Sequence, residues 1–126
     1  MKKTPQISEA ERVVMQVLWA EQYLTANDII AKLKGKVKWN PRTIRTLISR
    51  LLNKKAISFE KKGKEYRYRP LVTEKQCIKH ERLSFLKRVY GGATKPMLAA
   101  FIEDAKLSKD DIAELKAVLE HKGKGK

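Results

Sequence analysis

The chain has 126 residues, enough for one domain or two very small ones. It is 42% apolar and 34% charged, and 29 Lys/Arg against 14 Asp/Glu leave a net charge of +15. Such an excess calls for a polyanionic partner or an acidic membrane surface. It is uneven: residues 32–69 carry 14 Lys/Arg against 2 Asp/Glu, whereas residues 71–126 carry 12 against 8. No apolar run approaches the roughly 20 residues that a membrane-crossing helix needs. The start, MKKTPQISEAER, has two lysines with no apolar stretch behind them, so no secretory leader is expected. Cys77 is the only cysteine, which forbids an intrachain disulfide and suits a reducing, cytoplasmic location.

Ser8 opens a first helix through the capping box S-E-A-E, Ser8 to Glu11. Ala10, Val13, Val14, Val17 and Leu18 form its buried side, Trp19 covers an edge, and the helix stops near 20–22. Thr25 repeats the device in T-A-N-D, with Leu24 stapling onto Ile29. Ile29, Ile30 and Leu33 face the core, and Gly35 ends this second helix. A basic link, Lys36 to Trp39, leads to the third.

The third helix, Asn40 to Asn53, is the most informative stretch. Asn40 reads as its N-cap and Pro41 as its first helical residue. Ile44, Leu47, Ile48, Leu51 and Leu52 recur at helical spacing as one apolar stripe. Arg42, Arg45, Thr46, Ser49 and Asn53 fall on the opposite side, with Thr43 and Arg50 on a flank. Ordinary solvated faces mix charge signs, but this one has no carboxylate. An arginine-, hydroxyl- and amide-bearing face suits a DNA major groove, where Arg can fork onto guanine and hydroxyls reach phosphates or base edges.

After Asn53 the period shifts to two. Ile57 and Phe59, then Tyr66 and Tyr68, alternate with polar residues around Lys61, Lys62, Gly63 and Lys64. The spacing predicts a hairpin over 56–70, with Gly63 at positive φ and Pro70 closing the second strand. A lone hairpin is marginal in water, so all four apolar side chains are expected to pack on the helices. Three helices and a basic hairpin make a winged helix over residues 1–71, with Lys61, Lys62 and Lys64 on the DNA backbone.

Residues 72–126 read as three more helices. T-E-K-Q at Thr73 begins helix four, which runs from 74 to 90 until Gly91-Gly92 breaks it. Thr94 is expected to cap helix five and Ser108 helix six, and the Gly/Lys tail from His121 to Lys126 to fray. Phe85, Leu86, Val89, Tyr90, Met97, Leu98 and Phe101 concentrate apolar area that so small a unit cannot enclose. With Leu115, Val118 and Leu119 they are expected to meet a second copy, and a two-fold dimer gives a DNA reader two half-sites.

Other chemistries find little support. Two histidines, one cysteine and no phosphate-binding Gly-rich loop or H-E-x-x-H leave no catalytic set, so no enzyme and no cofactor is expected. Asp110 and Asp111 sit in a first helical turn, where acids suit the dipole. Cys77 and His80 offer a metal two ligands where a stable site needs three or four. Insertion of an amphipathic face into a membrane is not expected, because the apolar stripe is needed for the core. A non-specific architectural binder is the alternative that charge alone leaves open. A single-strand binder would need exposed aromatic rings, whereas Tyr66 and Tyr68 alternate into a packing face.

These words resemble the penicillinase-repressor and methicillin-resistance-repressor family of winged-helix regulators. The matching segments are I-S-x-A-E (Ile7–Glu11), V-M-x-V-L-W (Val14–Trp19), W-N-P-R-T-I-R-T-L-I-S-R-L (Trp39–Leu51) and F-L-x-R-V-Y-x-G (Phe85–Gly92). The resemblance implies a dimeric repressor on a palindromic operator, with its C-terminal helices forming the dimer. It also implies release by cleavage in helix five, triggered by a membrane metalloprotease sensor that meets a β-lactam. The family's cleaved bond is commonly Asn–Phe; the aligned bond here is Ala100–Phe101, which keeps the Phe and not the Asn. A related branch that answers copper uses a four-cysteine C-terminal cluster, which this chain lacks; a repressor of the same family answering a different signal, such as copper, stands beside the architectural binder as an alternative.

Overall fold

The computed structural model describes residues 4–125. Met1, Lys2 and Lys3, on which the expectation about a leader falls, and Lys126, the last residue of the tail, lie outside the described residues. The elements run α1 (Glu9–Ala20), α2 (Ala26–Leu33), α3 (Pro41–Asn53), β1 (Ile57–Lys62), β2 (Glu65–Pro70), α4 (Glu74–Tyr90), α5 (Thr94–Asp104) and α6 (Lys109–Lys124).

Most helix starts follow the capping chemistry of their sequences. At α1, Ser8 Oγ accepts from the Glu11 N–H at 3.2 Å, and Glu11 Oε1 accepts from the Ser8 N–H at 2.9 Å. Thr25–Asp28, Thr73–Gln76 and Ser108–Asp111 close the same reciprocal pair. At α3, Asn40 Oδ1 accepts from the Thr43 N–H at 2.9 Å, and Pro41 takes the first helical position. Helix α5 departs from expectation. Its N-cap is Ala93, without a side-chain hydrogen bond, and Thr94 is already helical. The positive-φ pair Gly91–Gly92 turns the chain so tightly that residue 93 takes the extended cap position. Nor does the tail fray at His121. Helix α6 continues to Lys124, where His121, Lys122 and Lys124 complement the negative end of the dipole.

Two compact units form, Met1–Ser84 and Phe85–Lys126. They part inside α4, later than the 71/72 boundary read from the Thr73 capping box. The reason lies in the junction. Trp19 Nε1–H donates to the Val72 carbonyl at 2.9 Å, and Cys77 on α4 is buried in the first unit's core.

In the first unit, α1, α2 and α3 enclose Val14, Met15, Leu18, Ile29, Leu33, Ile44, Leu47, Ile48 and Leu51. The α3 stripe is buried as its spacing predicts, apart from half-buried Leu52. Met15 takes a central place in α1 that the sequence reading gave to Val13 and Val17, which are only half-buried.

The hairpin β1–β2 pairs antiparallel, Ile57 with Pro70, Phe59 with Tyr68 and Lys61 with Tyr66. Gly63 has φ +62 at the first central position, as a type II′ turn requires. A third rung is added by the loop before α2. The Tyr23 N–H donates to the Tyr68 carbonyl and the Tyr68 N–H to the Leu24 carbonyl, both at 2.8 Å. Tyr23 takes φ +64 to reach that position.

Only the base of the hairpin packs as expected. Ile57 is buried and Tyr68 half-buried, but Phe59 and Tyr66 are 50% and 45% exposed. The strands outrun the helices beneath them, so these two rings pack edge-on against each other, centroids 4.8 Å apart. Lys61 Nζ lies over the Tyr66 ring at 5.8 Å.

The second unit is built differently. Helices α5 and α6 bury no residue at all. Phe85 meets Phe101 and Tyr90 at centroid distances of 5.9 and 6.0 Å.

Candidate nucleic-acid interface

The outer face of α3 is a set of exposed polar groups backed by a rigid core. Arg42, Thr43, Arg45, Thr46, Ser49 and Arg50 are all exposed, and all but Arg42 adjoin a buried stripe residue in sequence. Among the described residues none of the three arginines forms an ion pair. The salt bridges are Lys32–Glu21, Lys54–Glu11 and Arg67–Glu65, all off this face. The helix carries three uncompensated guanidinium charges and no acid.

Two of the hydroxyls are committed. Thr43 Oγ1–H donates to Asn40 Oδ1 at 3.2 Å, and Thr46 Oγ1–H donates to the Arg42 carbonyl at 3.0 Å. Each threonine therefore presents an acceptor oxygen and a methyl group, which suits an exocyclic amine or a thymine methyl. Arg45 Nη2–H donates to Asn27 Oδ1 at 2.7 Å. Asn27 is exposed on the first turn of α2, and its partner lies 18 residues on, so the sequence held no sign of the pairing.

The far end of α3 is pinned by a contact that sequence reading also missed. Lys54, the C-cap residue, places Nζ 2.6 Å from Glu11 Oε1 and donates to the Gln6 carbonyl at 2.8 Å. Glu11 is 2% exposed. Burial pushes its carboxyl up, but the hydrogen bonds and charge from Lys54 and the Ser8 donors outweigh that and hold it below the ordinary carboxylate range. The capping glutamate of α1 thus also anchors α3.

Beyond Lys54 the chain leaves the helix through Lys55 at φ +63. The Lys55 N–H bonds the Leu52 carbonyl and the Ala56 N–H bonds the Leu51 carbonyl, both at 3.0 Å, the two bonds of a Schellman motif. Lysine stands where glycine is usual, which left the turn unmarked in the sequence. This turn aims β1, and with it the exposed hairpin lysines Lys61, Lys62 and Lys64. A shallow cleft lies between the hairpin and the helices, lined by Thr25, Ala26, Asn27, Arg45, Lys64, Glu65, Tyr66 and Tyr68; its one carboxylate, Glu65, is paired with Arg67. Burial raises the Tyr68 phenol further above its ordinary value, so it stays a neutral O–H group there.

Residues 7–121 match the family model described as penicillinase repressor. The chain belongs to that family. It is 39% identical to the penicillinase repressor of Bacillus licheniformis, covering 100% of this chain and 99% of that protein. It is 38% identical to the methicillin resistance regulatory protein MecI of Staphylococcus aureus strain N315, covering 95% and 98%. Among solved structures it is similar to the DNA-binding domain of the repressor BlaI (TM-score 0.54, 39% identity, 60% of this chain and 93% of that one). It also resembles monomeric B. licheniformis BlaI in complex with the blaP half-operator (TM-score 0.53, 39% identity, 60% and 93%). The winged-helix reading of the N-terminal half therefore stands.

The remaining site residues belong to the second unit. Val89, Leu98, Phe101, Leu115, Val118 and Leu119 are exposed, by 65% at Val118 and 62% at Leu119. Phe85, Leu86, Tyr90 and Met97 are half-buried. Ala100 and Phe101 lie within the regular turns of α5, Phe101 51% exposed. No helix among the described residues is long and apolar enough to cross a membrane.

Proposed function

We infer that this chain is a sequence-specific, DNA-binding transcriptional repressor. The observation that carries the reading is the acid-free face of α3, whose arginines form no ion pair among the described residues, backed by a stripe that is buried except at half-buried Leu52. In this reading Arg42, Thr43, Arg45, Thr46, Ser49 and Arg50 enter the major groove, and Lys61, Lys62 and Lys64 grip the phosphates. Base-edge contacts then supply the sequence preference and phosphate contacts the register. The relative solved with a half-operator supports one winged helix per half-site.

The protein acts as a homodimer on a palindromic operator, paired through the exposed apolar side chains of α4, α5 and α6. The names of its relatives favour antibiotic-resistance genes as targets. Its location in this reading is the cytoplasm. Release follows cleavage at Ala100–Phe101 by a membrane metalloprotease sensor; because that bond lies in a helix, α5 must open locally for a protease to reach it.

Selection of duplexes from a randomised pool, followed by competition against random duplex, tests the reading. It predicts a palindromic winner preferred by 10³ or more, and a slope of log K against log[salt] of about −7 if a dimer neutralises roughly eight phosphates. A preference below about tenfold would favour the architectural alternative. The exposed rings of Phe59 and Tyr66 remove the argument against single strands drawn from sequence, so single-stranded DNA belongs among the competitors.

A further inference from the structure

We propose that Asn27 is a positioning residue for base readout: it fixes the guanidinium of Arg45 without neutralising it. The proposal rests on the DNA-reading function of α3 given above. Arg45 Nη2–H donates to Asn27 Oδ1 at 2.7 Å, the shortest side-chain bond on this face. Only one of five guanidinium N–H groups is spent, so a two-donor edge remains for a bidentate acceptor.

The identity of the partner matters. An aspartate there would hold the same geometry but cancel the charge that draws Arg45 to DNA. A carboxamide holds geometry alone. Its amide nitrogen also remains free to donate into the cleft that Asn27 shares with Arg45, Lys64 and Tyr66. Arginine otherwise loses a rotamer-rich side chain's freedom on binding; a bond already made in the free protein removes part of that cost. Arg42 and Arg50 make no side-chain hydrogen bond among the described residues, so Arg45 is the arginine of this face that is preset.

Asn27 has no evident part in folding. It is exposed, and the α2 cap is made by Thr25 and Asp28 instead. Asn27→Ala is therefore expected to leave thermal unfolding unchanged. On the duplex selected by the wild-type protein it should lower affinity about fivefold per half-site, relax preference at one base position, and leave random duplex unaffected. Asn27→Asp should keep the base preference and weaken every duplex.

A double-mutant cycle with Arg45→Ala decides the matter. Non-additivity, with Asn27→Ala costing nothing once Arg45 is gone, supports the proposal. Additive losses, or equal loss on random duplex, would overturn it and leave Asn27 as a direct phosphate contact. If the wild-type protein itself showed no preference between selected and random duplexes, the DNA-reading assignment would fail instead.

Discussion

The two units of this protein solve the problem of apolar surface in opposite ways. The first hides it: Val14, Met15, Leu18 and Ile29 are fully buried, and the α3 stripe with Leu51 closes over them. The second displays it: α5 and α6 bury nothing, and Phe101, Ile102, Val118 and Leu119 stand about half exposed or more. A large exposed apolar patch is the informative departure from ordinary surfaces, because it marks a surface that another molecule covers. In the proposed reading the first unit is complete as a single chain and the second is completed by a second copy. A rigid unit is what a base reader needs, since a misplaced guanidinium loses its fork.

That contrast can be broken from either side. The largest effect is expected at Leu51, 0% exposed behind the arginine face: Leu51→Ala should cost about 2–5 kcal/mol, seen in denaturant unfolding of the first unit. An equally drastic change in the second unit should act differently. Phe101→Glu or Leu119→Glu should abolish self-association, read by light scattering, with little change in the unfolding midpoint of the first unit. If either variant stays dimeric, these side chains do not form the interface.

Next comes the buried ion pair. Lys54→Met leaves the Glu11 carboxylate without its cation and should cost about 2 kcal/mol, less than for a fully buried pair because Lys54 is one-third exposed. The same pair makes stability pH-dependent. Glu11 titrates below its unfolded value, so the native state binds fewer protons than the unfolded one as the solution is acidified. Its contribution is present above the ordinary carboxylate range and is lost as pH falls through the depressed native value. Glu11→Gln should flatten that acid limb.

The smallest effect sharpens the account of how α3 ends. Lys55→Gly should relieve the cost of a left-handed lysine and raise stability by about 0.5 kcal/mol, after the added chain entropy of glycine is offset. A loss of stability would mean that the turn is held by something other than backbone geometry.

What could be read from residues alone follows the same division. The helices of the first unit were legible because an N-capping residue and a 3.6-residue stripe agree at each: capping boxes at Ser8 and Thr25, a simple N-cap at Asn40. The arginine face was legible because its partner stripe is so regular. The misses are long-range or steric. The bond from Arg45 to Asn27 and the Lys54–Glu11 pair join residues far apart in sequence, and each residue has an adequate local explanation. Lys55 and Tyr23 adopt positive φ with no glycine to mark it. Phe59 and Tyr66 alternate correctly yet stay exposed, because period two says which face a side chain takes and not how far the neighbouring helices extend. At Thr94 a favourable capping residue lost its place to the double-glycine turn before it.

Sedimentation equilibrium of the intact chain bears most directly on the division into a self-sufficient reader and a unit completed by pairing. A mass about twice the 14.5 kDa of one chain is expected at micromolar concentration, falling to a single chain in Phe101→Glu. A wild-type protein that remains at 14.5 kDa into the tens of micromolar would contradict it.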